Sequence, residues 1–256
     1  MKSRIVSAAI ALPVFLAVIY FGGNVLFAAS IIVAGILLYE LHNMIYKGKE
    51  YNLLIISYIY TLIHFYFQRS DDLVATTVIA YVLVVLFLET VCEDNYNLTK
   101  VTMFLVGSIY IIKVLPYLYL LDTHGISALL LPFLSAWLYD TSAYFTGIKF
   151  GKRRPWKNLS PKKSIEGLIG GVLISVTLIL VYGYFNKWNL IYTAIYALGA
   201  TFLAQSGDLI ISAFKRTNQV KDSGKIMPGH GGLLDRFDSV MPVLPLAYLF
   251  ITMISK

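Results

Sequence analysis

Long apolar runs recur along this chain and exclude most soluble folds. A membrane-spanning helix needs about 20 predominantly apolar residues, and most of the runs reach that length once their flanks are included. Of the 256 residues, 14% are charged and 58% are hydrophobic, whereas about 25% of the residues in a soluble globular domain are charged. The sequence therefore predicts an all-α polytopic membrane protein. The runs are 5–21, 53–67, 74–88, 101–121, 168–185, 190–203 and 234–254.

Hydropathy divides the chain into about nine predicted transmembrane helices, and the basic residues predict their orientation. Cytoplasmic loops carry an excess of Lys and Arg. A cytoplasmic N-terminus places the basic loops 149–166 and 215–232 on the inner side, and it leaves only Arg69, Lys187 and Lys256 at the outer ends. The C-terminus is then outside. The predicted helices are 4–22, 25–46, 52–68, 72–91, 101–121, 125–147, 167–185, 189–214 and 233–254.

The net charge of +7 is explained by inner loops that face an anionic lipid leaflet. The aromatic residues lie mainly in or at the ends of the apolar runs and do not alternate with basic residues, so we expect no nucleic-acid partner. We expect a single integral-membrane domain over residues 1–256. In that domain, residues 1–134 form mainly scaffold helices and residues 135–245 carry the chemistry.

The end of the predicted eighth helix combines acidic and basic side chains at membrane depth. Asp208, Ser212 and Lys215 are spaced three and four residues apart, so they lie on one helical face. An aspartate in an apolar helix must be paired, protonated or bound to a metal, because unpaired charge is costly there. Two interpretations remain open, an Asp–Lys pair within the helix and a metal ligand, and we favour the metal ligand.

The start of the predicted ninth helix has a second acidic group, preceded by glycines. Asp235 and Asp238 are three residues apart and are predicted to share one helical face. Paired carboxylates suit Mg²⁺, which takes further oxygen ligands from water and substrate phosphates. The glycines of 229–232 allow close approach of the backbone to a ligand, and a helix N-terminus favours anions.

A third polar segment runs from Asp140 to the start of the predicted seventh helix. Asp140 lies within a predicted span, which favours a functional role. Ser160 is predicted to cap the seventh helix, with Pro161 at its first position. Lys162 and Lys163 would then stand beside an anion-attracting terminus, so we favour phosphate binding for both. For the basic residues 152–154 and 157, positive-inside topology and lipid contact are a sufficient explanation.

Glu40 is a further acidic residue inside an apolar run. The sequence leaves two interpretations open, contact with a cation or basic partner and a structural hydrogen bond.

At these residues the chain resembles the phosphatidate cytidylyltransferases, also called CDP-diacylglycerol synthases. Two blocks carry the resemblance. The longer block fits the family signature throughout, and the other, over 140–147 and 160–167, is similar to the second block of the family. The resemblance is specific over about 135–245, and the rest of the chain agrees in hydropathy only. The longer block reads Ser212-x-x-Lys215-Arg216-x4-Lys221-Asp222-x-Gly224-x3-Pro228-Gly229-His230-Gly231-Gly232-x2-Asp235-Arg236-x-Asp238.

The resemblance implies a nucleotidyltransferase that joins CTP to phosphatidate, giving CDP-diacylglycerol and pyrophosphate. It also implies Mg²⁺ (one or two ions), a homodimer, and a multi-pass plasma-membrane enzyme whose active site faces the cytoplasm. Asp208 and Asp235 are the predicted metal ligands. Ile211 stands where many members of the family carry an acidic residue, so no ligand is expected there. The predicted catalytic residues are Asp208, Asp235, Asp238, Lys215 and Arg216, and the predicted substrate-binding residues are Asp140, Lys162, Lys163, Ser212, Lys221, Asp222, His230, Gly231, Gly232 and Arg236.

Two other functions share some of these features. A CTP-dependent lipid or polyprenol kinase would use the same phosphate-binding groups but transfer the γ-phosphate. An ion-coupled transporter could use Asp140 and Asp208 along its pathway. The charges argue against transport, because they cluster at the cytoplasmic ends of the predicted helices rather than at the midplane.

Overall fold

The computed structural model describes residues 2–67, 71–92, 97–227, 229 and 231–255. These residues form helices and contain no β-strand, and a single isolated bridge pairs Met227 with Gly231. The all-α prediction is therefore confirmed for the described part of the chain. The helices are α1 (Lys2–Phe21), α2 (Gly23–Tyr46), α3 (Tyr51–Phe67), α4 (Asp71–Cys92), α5 (Leu98–Val114), α6 (Pro116–Asp122), α7 (Ile126–Phe150), α8 (Ile165–Phe185), α9 (Leu190–Thr217), α10 (Leu234–Phe237) and α11 (Val243–Ile254).

Four helical segments within these ranges are long and apolar enough to cross a bilayer: Gly23–Tyr46, Leu98–Asp122, Ile165–Phe185 and Leu190–Thr217. Shorter apolar helices cover Ala11–Phe21, Tyr51–Phe67, Thr76–Leu88 and Val243–Ile254. The chain is thus a helical membrane protein. The count of nine spans and the orientation of the termini stay predictions.

Two predicted helix boundaries are wrong, and a third predicted helix, within the span Leu98–Asp122, is interrupted at one residue. The predicted helix over 101–121 is divided at Leu115, because Pro116 has no backbone N–H and opens α6. The predicted helix over 233–254 is divided into α10 and α11 by a turn at 238–242 that ends in Pro242. The seventh predicted helix starts not at Ser160 but at Ile165 (α8), where Ser164 Oγ accepts a hydrogen bond from Gly167 N at 3.1 Å.

The described chain forms two compact units. The first comprises Met1–Tyr119 and Asn218–Asp235. Inside it, three helices are joined by a buried chain of hydroxyl groups, in which Tyr81 OH lies 2.8 Å from both Ser57 Oγ and Ser108 Oγ. Such bonds satisfy polar groups that have no water available at membrane depth.

The second unit comprises Leu120–Thr217 and Arg236–Lys256. Here α8 packs closely on α7, because glycines remove side-chain bulk at the contact. A Cβ atom added at Gly171 would lie 2.8 Å from Ala143 Cβ. Tyr196 OH and Ser135 Oγ, 3.0 Å apart, link α9 to α7. This packing fixes the cytoplasm-facing ends predicted for α7 and α9, where the candidate site lies.

Candidate active site

Three acidic side chains of the second unit influence one another electrostatically. Asp140 lies on α7, Asp208 on α9 and Asp238 in the turn after α10. The pKa of Asp238 is raised well above its ordinary value, because its carboxyl is buried and because Asp208 and Asp140 place negative charge near it. Lys215 opposes this shift. The structure thus brings together three of the predicted site aspartates and one predicted cation.

Gly207 explains how α9 approaches the turn that carries Asp238. A Cβ atom at Gly207 would collide with the backbone carbonyl of Asp238 and would lie 2.7 Å from Pro242 Cγ. Only a residue without a side chain permits this contact. The glycine directly before Asp208 therefore sets the close packing of α9 on this turn.

Asp208 is paired with a lysine from another part of the chain. Lys163 Nζ lies 2.7 Å from Asp208 Oδ2, and the two side chains are 20% and 27% exposed, so both remain accessible to a ligand. Ser212 Oγ donates to Asp208 Oδ1 at 3.2 Å, which agrees with the helical face predicted for these two residues. The lysine paired with Asp208 is therefore Lys163, a residue that helical spacing does not connect to Asp208, and this pair is not the one within the helix that the sequence analysis considered.

Gln205 is a site residue that the sequence analysis did not identify. Its Oε1 accepts hydrogen bonds from Lys163 Nζ at 3.0 Å and from Tyr139 OH at 2.8 Å. Because a lysine ammonium can only donate, the oxygen of the amide, and not its NH₂ group, must point at Lys163. Gln205 Nε2 is buried and has no hydrogen-bond partner among the residues that the structure describes. The feature of the sequence that could have identified Gln205 is its amide side chain, one helical turn before Asp208.

Lys215 and Arg216 occupy the last turn of α9 but have different surroundings. Lys215 is 9% exposed, whereas Arg216 is exposed and its Nε donates to Leu159 O at 3.4 Å. Arg216 therefore lies next to the basic loop 151–164. Arg236 is exposed directly after Asp235.

The loop 151–164 is attached to the start of α8 by Glu166. Glu166 accepts hydrogen bonds from the backbone N–H groups of Lys152, at 2.9 Å, and Arg153, at 3.1 Å. Ile165 N also donates to Arg153 O at 2.9 Å. This attachment holds the segment that ends in Lys163, while the neighbouring Lys162 is exposed.

The first unit holds the glycine-bearing part of the signature, which we call the signature loop (residues 221–234). Asp235 Oδ2 accepts hydrogen bonds from Ser223 N at 2.9 Å, Ser223 Oγ at 3.0 Å and Gly232 N at 3.1 Å. Farther along the loop, Met227 N donates a hydrogen bond to Gly231 O at 3.0 Å. Lys221 and Asp222 are exposed, Gly231 has a φ of +87°, and His230 lies outside the described residues.

Glu40 of α2 contacts the same loop. Its carboxylate accepts hydrogen bonds from Leu233 N at 2.9 Å, Leu234 N at 2.8 Å and Ser223 Oγ at 3.2 Å. The second of the two interpretations, a structural hydrogen bond, is confirmed, although the partners are two backbone N–H groups and one hydroxyl more than 180 residues away along the chain. The feature of the sequence that indicated a role for Glu40 was an acidic residue inside an apolar run.

The described residues contain no group of three or more His, Cys, Asp or Glu side chains arranged to hold a metal ion. Of the two predicted metal ligands, Asp208 belongs to the second unit and Asp235 to the first. Their shared role as metal ligands therefore stays a prediction.

Comparison with known proteins identifies the family. The model of the cytidylyltransferase family matches residues 2–254. A phosphatidate cytidylyltransferase of Staphylococcus saprophyticus is 36% identical, over 99% of this chain and 100% of its own length. Proteins of the same name from Staphylococcus haemolyticus and Staphylococcus aureus are 36% and 37% identical, over 96% of this chain and 97% of their own length. With a family match over nearly its whole length and relatives of this similarity, the chain belongs to the cytidylyltransferase family.

Proposed function

We propose that this protein transfers the cytidylyl group of CTP to phosphatidate, giving CDP-diacylglycerol and pyrophosphate in phospholipid biosynthesis. The observation that carries the proposal is the end-to-end similarity to proteins named phosphatidate cytidylyltransferase. Both segments that carry the predicted chemistry lie inside the matched region 2–254.

The cationic side chains of the second unit suit a substrate with several phosphates. In the proposed reaction, an oxygen of the phosphatidate phosphate attacks the α-phosphorus of CTP, a new P–O bond forms, and pyrophosphate leaves. We assign Lys162, Lys163, Lys215 and Arg216 to neutralising the triphosphate and the leaving group, because phosphoryl-type transfer depends mainly on positioning and charge neutralisation. The attacking group is already an anion, so His230 is not needed as a base.

Asp208 and Asp235 are the proposed ligands of Mg²⁺, in one or two ions, with Asp238 close in sequence to Asp235. The donor chemistry fits, because carboxylate oxygens are the protein ligands that Mg²⁺ prefers. The charge also fits: Asp140, Asp208 and Asp238 place three carboxyl groups in mutual electrostatic range, with Lys163 and Lys215 as nearby cations. When bound, the ion would neutralise charge on the substrate phosphates.

The remaining predicted substrate contacts are assigned to the same reaction. They comprise Asp140, Ser212, Lys221, Asp222, His230, Gly231, Gly232 and Arg236. We further propose a plasma-membrane location with the active site facing the cytoplasm, and a homodimer. A mass measurement on the detergent-solubilised protein tests the dimer, and protease access to the loop 151–164 in sealed inside-out vesicles tests the orientation.

The function is tested with purified protein, phosphatidate in mixed micelles, and CTP labelled either in cytidine or in the γ-phosphate. We expect the cytidine label to enter the lipid and the γ-label to appear in pyrophosphate. Entry of the γ-label into the lipid would instead indicate a CTP-dependent kinase. Ion flux into liposomes without CTP consumption would indicate a transporter.

The metal is tested in the same assay. We expect excess EDTA to abolish formation of CDP-diacylglycerol and added Mg²⁺ to restore it. Full activity in excess EDTA would refute the proposed metal.

A further inference from the structure

We propose that Glu40 is a positioning residue of this enzyme: from within α2, its buried carboxylate holds the base of the signature loop in place. The kinetic part of this proposal rests on the proposed function, whereas the structural part does not. Glu40 does not belong to the signature, and it precedes the signature loop by about 180 residues.

The contacts of Glu40 define the anchor. The residue is 1% exposed. Its Oε1 accepts from Leu233 N, and its Oε2 accepts from both Leu234 N and Ser223 Oγ. The two backbone donors are adjacent, at the end of the signature loop and the start of α10, where N–H groups have no partner within the helix. A single carboxylate thus joins both ends of the loop to α2.

Two signature glycines make room for this carboxylate. A Cβ atom at Gly224 would collide with Glu40 Oε1 and would lie 2.7 Å from Glu40 Cδ. A Cβ atom at Gly232 would collide with Ser223 Oγ and would lie 2.5 Å from Glu40 Oε2. The glycines are therefore explained by the carboxylate packed against the loop, at positions where no positive φ requires them.

Glu40 and Asp235 have separate tasks in the loop. Asp235 binds Ser223 and Gly232, and Met227 binds Gly231, so these contacts close the loop upon itself. Glu40 attaches the closed loop to α2. Without the Glu40 carboxylate, the loop would keep its internal hydrogen bonds but lose these three hydrogen bonds to α2.

The choice of glutamate also follows from the donors. The two backbone partners, Leu233 N and Leu234 N, can only donate, and each carboxylate oxygen accepts from one of them, so these contacts require two acceptors. A glutamine would turn an NH₂ group toward at least one of these donors. A buried donor that loses its acceptor is costly, and the cost is greater when the bond was to a charged group.

The loop carries residues assigned to the reaction. Lys221 and Asp222 are exposed at its beginning, and Asp235 follows its end. A catalytic group displaced by a fraction of an ångström loses much of its effect on the transition state. The attachment to α2 therefore sets where these groups stand during the reaction.

The test compares Glu40→Gln with Ser30→Ala, both in the full-length enzyme purified in detergent. Ser30 is a matched control, because it is buried in the same helix and its Oγ donates to Leu26 O of that helix. We expect Glu40→Gln to lower kcat per folded molecule by about 10- to 100-fold, with KM for CTP within about threefold. KM should change less than kcat, because Lys162, Lys163, Lys215 and Arg216, which are assigned to the triphosphate, lie outside the loop, although the loop also carries the substrate contacts assigned to Lys221 and Asp222. Ser30→Ala should behave like the wild type.

The attachment itself is measured by limited trypsin digestion. Lys221 and Lys225 are exposed in the loop, so cleavage there reports how often the loop leaves its folded position. We expect cleavage at these lysines to be several-fold faster in Glu40→Gln, with thermal unfolding of the whole protein close to that of the wild type.

A second pair of variants covers the case in which Glu40→Gln fails to fold. Gly224→Ala places a methyl group where the Glu40 carboxylate lies, whereas Gly35→Ala adds the same methyl group to α2 at 3.9 Å from Tyr58 Cε1, an ordinary contact. We expect Gly224→Ala to reproduce the faster cleavage and the lower kcat, and Gly35→Ala to show neither.

Unchanged loop cleavage in both Glu40→Gln and Gly224→Ala would overturn the proposal. So would a loss of activity that is fully explained by loss of folded protein, with kcat per folded molecule unchanged. A wild-type enzyme that forms no CDP-diacylglycerol would refute the proposed function instead, and the cleavage comparison would still decide whether Glu40 anchors the loop.

Discussion

The carboxylates of the two units have opposite kinds of partner. In the second unit, Asp208 pairs with Lys163, and both side chains remain accessible. In the first unit, Glu40 and Asp235 accept hydrogen bonds from backbone N–H groups and from Ser223. A carboxylate paired with a partly exposed cation can exchange that cation for a ligand, whereas one that accepts from several backbone donors holds a loop in place. Acidic residues of one chain can therefore serve chemistry or architecture, and their partners distinguish the two roles.

The largest effects are expected from changes of the two proposed metal ligands, of which Asp208→Asn is the first. This change removes the charge that pairs with Lys163 and that is assigned to Mg²⁺, so we expect formation of CDP-diacylglycerol to fall on the order of a hundredfold to a thousandfold. The control is Ser206→Ala, two residues earlier, whose Oγ donates only to its own helix at Phe202 O among the described contacts. Near-normal turnover in Asp208→Asn would remove Asp208 from the chemistry.

Asp235→Asn separates two roles of one residue, because Asp235 is assigned to the metal and also closes the signature loop. We expect turnover to be lost in a protein that is still folded and inserted. The discriminating measurement is activity against Mg²⁺ concentration, together with trypsin cleavage of the loop. A ligand role predicts a shift in the Mg²⁺ dependence. Faster loop cleavage with an unchanged Mg²⁺ dependence would instead leave Asp235 with the architectural role alone.

Lys163→Ala and Lys162→Ala separate two adjacent lysines that the sequence analysis treated alike. Lys163 contacts Asp208 and Gln205, whereas Lys162 is exposed. We expect Lys163→Ala to lower kcat/KM by about 100-fold, because it leaves a charged partner uncompensated. Lys162→Ala should mainly raise KM for CTP or phosphatidate, by about tenfold or less. Equal effects of the two changes would contradict the assignment of the Asp208 pair to Lys163.

Gln205→Leu is expected to have a smaller effect than the changes at Asp208, Asp235 and Lys163. It keeps a similar volume but removes the acceptor shared by Lys163 Nζ and Tyr139 OH. We expect kcat to fall by about tenfold, because loss of a buried acceptor costs about 1–3 kcal/mol. Tyr139→Phe removes one of the two donors and should cost less. A larger loss in Tyr139→Phe than in Gln205→Leu would show that Gln205 does not organise this group.

The helices were largely predictable, because apolar length is a local property of the sequence. The predicted helix over 25–46 corresponds to α2 at Gly23–Tyr46, and the one over 167–185 to α8 at Ile165–Phe185. The predicted helix over 101–121 corresponds to the span Leu98–Asp122, with a break at Leu115 before Pro116. The prediction was wrong at 233–254, where a turn at 238–242 separates α10 from α11. A proline alone does not specify such a break, because Pro132 lies inside α7 without interrupting it.

The candidate site was predictable as a set of residues but not as a set of contacts. Spacing correctly joined Asp208 to Ser212, which are four residues apart on one helix. Spacing could not predict the contact between Asp208 and Lys163, which are far apart in the sequence, and it did not indicate a role for Gln205. It also treated Asp235 and Asp238 as a pair on one helix, although α10 ends at Phe237.

By itself, the sequence determined that this is a helical membrane protein and which polar residues could serve chemistry, because apolar runs and short motifs act over a few turns of chain. Only the tertiary structure decided the partner of each carboxylate. Asp208 contacts a lysine 45 residues earlier, and Glu40 contacts backbone groups more than 190 residues later. A charge at membrane depth must find a compensating group wherever the folded chain supplies one. The identity of that group depends on which helices and loops pack together, and no local sequence pattern specifies this packing.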